Sequence, residues 1–101
     1  MFIVFDVGTS ENKAVLVDRD GRVLAGASAP NTLHVPQPGW AEHDAETDWW
    51  GNFCTVVGEV LAHSGLDPAT VEAVGCSGIG PCVLPVDTDV GPLGPGILYG
   101  I

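Results

Sequence analysis

The sequence predicts an α/β fold: a mixed sheet made from a three-strand meander, a crossover helix and further strands. Three observations point to it. Short apolar runs rich in β-branched and aromatic residues occupy most of the first 28 positions, separated by turn residues. One apolar stripe then recurs at steps of three and four from Trp49 to Leu61. A further apolar run, Val71 to Cys76, follows it. A helix of that length is enough for a right-handed crossover, which would lay the last run parallel to the first and beside it.

The elements follow in chain order. Phe2 to Val7 reads as a buried strand, with Asp6 as its one charge. Ala14 to Val17 is the second strand, and Asp18-Arg19-Asp20-Gly21 is a tight turn in which Gly21 is free to take positive φ. Arg22 to Ser28 is the third strand, with Val23 and Leu24 as its core candidates. Pro30 to Trp40 holds three prolines and no periodicity, so it reads as an extended loop. Asp44 suits a helix N-cap, and Glu46 and Asp48 put negative charge in the first turn. Trp49, Phe53, Val56, Val57, Val60 and Leu61 form the buried stripe, and Gly65 closes the helix. Asp67-Pro68 opens a short helical turn, with Pro68 at its first position. Val71 to Cys76 is the fourth strand. Cys82 to Val86 is a fifth, turned by residues 87–91, and residues 96–101 begin another extended segment.

With 101 residues the chain has the size of one domain, which buries roughly 60–70% of its unfolded surface. Three Lys/Arg against thirteen Asp/Glu leave a net charge of −10. That field repels nucleic acid and anionic membranes, so neither is expected as a partner. It also repels ATP unless local backbone donors overrule it. Cys54, Cys76 and Cys82 form no CxxC pair and are odd in number, so they read as buried thiols of a reduced, cytoplasmic protein. His34, His43 and His63 stand apart from them, which argues against a zinc site. Met1 leads into a strand with no basic segment before it, and no apolar run reaches the ~20 residues that span a bilayer.

The stretch with chemical content is Asp6-Val7-Gly8-Thr9-Ser10. It lacks the second glycine and the Gly-Lys-Ser/Thr ending of a Walker loop. Gly8 still permits close approach of backbone to an anion, and consecutive N–H groups in such a turn make an anion nest. Thr9 and Ser10 add hydroxyls, Lys13 adds a cation, and Asp6 at a strand end suits a water-mediated Mg²⁺ contact. Taken alone, these residues fit a plain hairpin as well as a phosphate turn.

Three blocks change that balance: "DVGTSENKAVLVDRDGRVLA", "PQPGWAEHDAETDWW", and "VEAVGCSG" followed by "LPVDTDVGPLGPGILYG". In this order and spacing the chain resembles the N-terminus of the FGGY carbohydrate kinases, a branch of the actin-like ATPase superfamily. The resemblance runs from residue 2 to the end. It implies an RNase H-like, actin-like ATPase fold and phosphoryl transfer from ATP to a sugar or polyol hydroxyl. It implies that Asp6 holds Mg²⁺–ATP through water, that Gly8, Thr9 and Ser10 face the phosphates, and that Lys13 fills a basic position after the turn. Two departures stand out. Glu11 replaces a small residue, and a carboxylate beside phosphates is unfavourable, so it should point to solvent or pair with Lys13. After the fourth strand, glycerol kinases carry Arg-Glu and xylulose kinases Met-His, whereas this chain has Gly80-Pro81, with no side-chain hydrogen bond to offer a substrate. The sugar is therefore not readable.

Family members are several times longer, so residues 1–101 read as an incomplete N-terminal domain, inactive alone, with the catalytic base elsewhere. An isolated piece of this kind should self-associate as a dimer through its uncovered apolar surface. The competing function class is a non-catalytic actin-like half-domain acting as a binding or assembly module. Of the remaining residues, Trp49 and Trp50 read as packing and Trp40 as an anchor for its loop. Cys76 and Cys82, which flank Gly80-Pro81, read as small hydrophobes and His43 as a surface residue. His34 receives no role, and Asp87 and Asp89 read as turn residues without EF-hand spacing.

Overall fold

The structure is a computed structural model that describes residues 1–99; Gly100 and Ile101, the end of the last predicted extended segment, lie outside the described residues. The meander forms as β1 (Phe2–Val7), β2 (Glu11–Val17) and β3 (Val23–Pro30), each antiparallel to the next. After β4 (Glu42–His43), a helical segment returns the chain to β5 (Ala73–Gly78), which pairs parallel to β1 from Phe2↔Ala73 to Val7↔Gly78. The sheet order is β3-β2-β1-β5, the predicted topology. β1, the most apolar strand, is thus paired on both sides.

The predicted single helix is two pieces. Asp44 caps it as expected, its carboxylate accepting from the N–H groups of Glu46 and Thr47. Residues Ala45–Gly51 then wind as a wide π-helical segment, and α1 (Asn52–Ser64) continues as a regular helix. Gly51, a poor helix former, stands at the junction. Gly65 ends α1 at φ +66°, the left-handed conformation that glycine adopts without strain. Asp67 caps the short 3-10 turn Pro68–Thr70.

The core lies between α1 and one face of the sheet. Ile3 and Phe5 of β1, Ala14 and Leu16 of β2, and Val56 and Val60 of α1 are buried together. Alternate residues of a strand share a face, which is why each strand contributes at steps of two. Full burial of a side chain such as Leu16 or Val56 contributes about 1.5–3 kcal/mol.

Several expectations about burial fail. Val23 and Leu24 are exposed; the β2–β3 register shifts between Leu16 and Val17, and β3 instead turns Ala25, Ala27 and Ala29 toward the core. Cys54 and Cys76 are exposed and Cys82 is half-buried: Cys54 lies off the apolar stripe of α1, and Cys76, on the edge strand β5, lines an open apolar cavity with Phe53 and Val74. Trp40 is exposed rather than an anchor. The predicted fifth strand is also shorter. Only β6 (Cys82–Val83) joins a sheet, and it pairs with β7 (Gly96–Leu98), which pairs with β4 in a second three-stranded sheet. Pro85, Pro92 and Pro95 interrupt the stretch between β6 and β7, where Val86 and Pro92 form one isolated bridge.

Candidate functional site

Val7 ends β1 and Glu11 starts β2, so Gly8-Thr9-Ser10 makes the connection. The Gly8 N–H donates to the Glu11 carbonyl at 3.0 Å, and any Cβ on Gly8 would collide with that same oxygen. Glycine is therefore required here by close approach, not by a positive φ.

The carbonyls of this turn are all held from the protein side. The Gly8 oxygen accepts from Asn31 Nδ2 at 2.7 Å, the Thr9 oxygen from His43 Nε2 at 2.9 Å, and the Ser10 oxygen from the Asn31 backbone N–H at 2.9 Å. A trans peptide is planar, with its N–H antiparallel to its C=O. Fixing the Gly8 and Thr9 carbonyls inward therefore aims the Thr9 and Ser10 N–H groups outward. Among the described residues neither donates a hydrogen bond within the chain. Two adjacent unspent donors at a tight turn are what an anion nest offers a phosphate.

Behind the turn lies a buried polar network. Asn31 Nδ2 also donates to Asn12 Oδ1 at 3.1 Å, and Asn12 Nδ2 donates to the Asp48 carbonyl at 2.6 Å. Trp49 Nε1 donates to His43 Nδ1 at 3.0 Å. Asp48 Oδ2 accepts the Asp44 N–H at 2.8 Å and lies 3.2 Å from His34 Nε2. Asn12, Asn31, His43 and Asp48 are all buried, so the structure corrects the reading of His43 as a surface residue and gives His34 a partner. At the exposed start of the helical segment, the Asp44 carboxyl is held below its ordinary range, chiefly by the Thr47 backbone N–H.

Asp6 is exposed near the end of β1, and its Oδ1 accepts from Ser77 Oγ of β5 at 2.6 Å. Across the ladder it stands opposite Lys13, which is also exposed. Glu11 is exposed and forms no ion pair with Lys13 among the described residues. Gly80-Pro81 lies in the exposed loop after β5, which starts where the Ile79 N–H donates to the Val7 carbonyl at 2.9 Å. The turn, Asp6 and this loop thus share the C-terminal end of the parallel pair β1 and β5, where ligands of open α/β sheets commonly bind.

Among the described residues no cluster of three or more His, Cys, Asp or Glu forms a metal cage. One carboxylate beside an anion turn nevertheless fits Mg²⁺, which keeps most of its waters and is bound through one or two carboxylates plus phosphate oxygens. The residues that sequence reasoning passed over are Asn12, Asn31 and His43. Two of them left a signal: Asn12 stands in phase with Ala14 and Leu16, and Asn31 in phase with Ala25, Ala27 and Ala29, so period two places both on the core face.

Comparison with known proteins shows the family. A family model described as the FGGY family of carbohydrate kinases, N-terminal domain, matches residues 1–100. A glycerol kinase of Trichormus variabilis is 37% identical over 73 residues, 72% of this chain and 14% of that protein. A glycerol kinase of Bacillus velezensis is 31% identical over 86 residues, 85% of this chain and 17% of that protein. Among solved structures, the xylulose kinase of Rhodospirillum rubrum superposes with a TM-score of 0.85 at 36% identity, covering 94% of this chain and 19% of that one. A xylulose ("xyloylose") kinase of Brucella ovis reaches 0.89 at 26% identity, covering 97% of this chain and 20% of that one. The chain therefore spans between about a seventh and a fifth of the length of these relatives.

Proposed function

Since the chain belongs to the FGGY family of carbohydrate kinases, we propose that it supplies the first phosphate-binding turn and one wall of the sugar pocket of an ATP-dependent kinase. The reaction is phosphoryl transfer to a hydroxyl of a sugar or polyol. The observation that carries this reading is the inward anchoring of three consecutive carbonyls, which leaves the Thr9 and Ser10 N–H groups unspent and outward.

In this reading the Thr9 and Ser10 N–H groups receive phosphate oxygens, while the Gly8 N–H, bonded to the Glu11 carbonyl, closes the turn that presents them; the charge-assisted bonds contribute about 1.5–3 kcal/mol each when fully formed. Asp6, oriented by Ser77, holds Mg²⁺ through water, and Lys13 adds positive charge next to it. The metal, when bound, neutralises charge that develops on the transferring phosphoryl group. Gly80-Pro81 faces the sugar with backbone groups alone, and no residue of this chain is assigned the role of taking the hydroxyl proton. The net charge of −10 opposes nucleotide binding only weakly at this turn, because it is screened over ~8 Å at physiological salt. We place the kinase in the cytoplasm, where ATP is available. Among the described residues no helix is long and apolar enough to cross a membrane.

Titration of the ¹⁵N-labelled chain with Mg²⁺–ATP tests the turn. The Thr9 and Ser10 amide resonances should move with millimolar affinity, and their failure to respond would remove the phosphate reading. A panel of polyols and ketoses with the whole kinase identifies the acceptor; phosphorylation of none of them would remove the sugar-kinase reading. The isolated chain should also self-associate through the apolar surface formed by Trp50, Phe53, Val74 and Cys76, and light scattering showing only monomer at high concentration would refute that.

A further inference from the structure

We infer that His43 is a positioning residue for the phosphate turn, with Trp49 fixing the tautomer it needs. The inference rests on the proposed phosphate-binding role of that turn and assigns the part that sets its geometry. His43 is fully buried in β4, remote in sequence from the turn, and its Nε2 meets the Thr9 carbonyl. A carbonyl oxygen only accepts, so Nε2 must carry the proton. Indole Nε1–H only donates, and it is directed at His43 Nδ1, so Nδ1 must be bare. Both neighbours demand the same neutral tautomer, and a ring of the other tautomer would face a bare nitrogen to Thr9 and a proton to Trp49.

The consequence reaches the ligand side through one peptide plane. The Thr9 carbonyl and the Ser10 N–H belong to the same planar group, so the imidazole that pulls the oxygen inward turns the N–H outward. Asn31 does the same for the neighbouring plane of Gly8 and Thr9, and its own position is set within the meander. His43 differs because it comes from the start of the helical segment. There, β4 pairs with β7, and Gly96 of β7 is packed so closely on the Trp49 ring that any Cβ would overlap it. The turn is thereby referenced to the second sheet as well as to the first.

Two isosteric substitutions separate positioning from packing. In His43→Gln the amide nitrogen falls where Nε2 stood and still reaches Thr9, whereas in His43→Asn the shorter amide reaches only the Nδ1 position, where its oxygen accepts from Trp49 and no donor reaches Thr9. Amide hydrogen exchange of the full chain without ligand reads the result at Gly8 and Asn31, whose N–H groups bond to Glu11 and Ser10. His43→Asn should speed exchange at these two about tenfold, leave Val4 and Phe5 in β1 unchanged, and His43→Gln should stay within about twofold of wild type. Identical behaviour of the two variants, or acceleration of β1 to the same degree, would overturn the inference. Trp49→Phe keeps His43 but removes the donor to Nδ1 together with the outer ring that packs on Gly96. It carries the test if the Asn variant does not fold, with about threefold faster exchange expected at the same two amides and no change as the refuting result. Mg²⁺–ATP titration then separates the two proposals. Wild-type chain that fails to bind brings down the phosphate reading and leaves the exchange result to judge His43. Wild type that binds with His43→Asn binding equally well overturns the positioning role.

Discussion

The meander contains two tight turns that solve the same problem in opposite ways. The turn from Asp18 to Arg22 is self-sufficient. The Asp18 carboxylate accepts from the N–H groups of Asp20 and Arg22 at 2.9 Å each, its backbone closes onto Arg22 and Gly21, and Gly21 takes φ +81°. The residues from 87 to 91 repeat that arrangement around Asp87. The turn from Gly8 to Glu11 has no such side chain. Its carbonyls are satisfied by residues 23 and 34 positions away, and its donors are left over. A turn that spends its N–H groups on its own aspartate has nothing to offer an anion; one whose oxygens are held by the rest of the protein does.

The substitution of greatest consequence lies beside the Gly8 turn. Asp6→Asn in the whole kinase should lower kcat by on the order of 100-fold with no change in Tm, because the side chain is exposed and asparagine still accepts from Ser77. Wild-type turnover would remove the metal role of Asp6. The same small substitution made in both turns sharpens the contrast. Gly8→Ala should cost about 2 kcal/mol through collision with the Glu11 carbonyl. Gly21→Ala meets no atom within 4 Å and should cost about 1 kcal/mol through its positive φ alone. Chemical denaturation measures both, and equal costs would refute the close-approach argument.

Asp44→Ala removes the cap that starts the helical segment just after His43, and should cost about 1 kcal/mol at neutral pH. The pH dependence has a definite sign. The folded Asp44 carboxyl lies below its ordinary value of 3.8, so its contribution is complete above that value and is lost as pH falls through the lowered folded one. The gap between wild type and variant should therefore close below about pH 4, and a gap that widens there would contradict the cap. Smallest is Asp18→Ala, which should cost about 0.5–1 kcal/mol and leave Mg²⁺–ATP titration of Thr9 and Ser10 unchanged. A weakened titration would show that the two turns are coupled.

Local pattern made the architecture legible. The short apolar runs between turn residues gave the meander, the stripe from Trp49 to Leu61 gave the helix, and crossover handedness placed β5 beside β1. β4, β6 and β7 have two or three residues each, too few to show a period, so the second sheet was not readable. Leu24 misled because it is out of phase with Ala25, Ala27 and Ala29; Val23 is in phase with them, but the irregularity near Leu16 and Val17 takes it off the buried face. At the site, the glycine and its hydroxyl neighbours were visible as a motif. The groups that shape it were not, since the hydrogen bonds of Asn31 and His43 join distant positions and a histidine beside an N-cap looks like surface.

The pairing of β1 with β5 also fixes an order of events during folding. β1 and β2 are joined by a short turn and can zip together on the microsecond scale of hairpins. The other edge of β1 must wait for a partner 71 residues further along, and that contact carries the loop-closure cost of the whole intervening segment. On a ribosome, which adds about 5–20 residues per second, that edge stays open for seconds after the first hairpin has formed. The most apolar strand is thus one whose second side is shielded late, and a chaperone that binds extended apolar segments would find a target in residues 2–7.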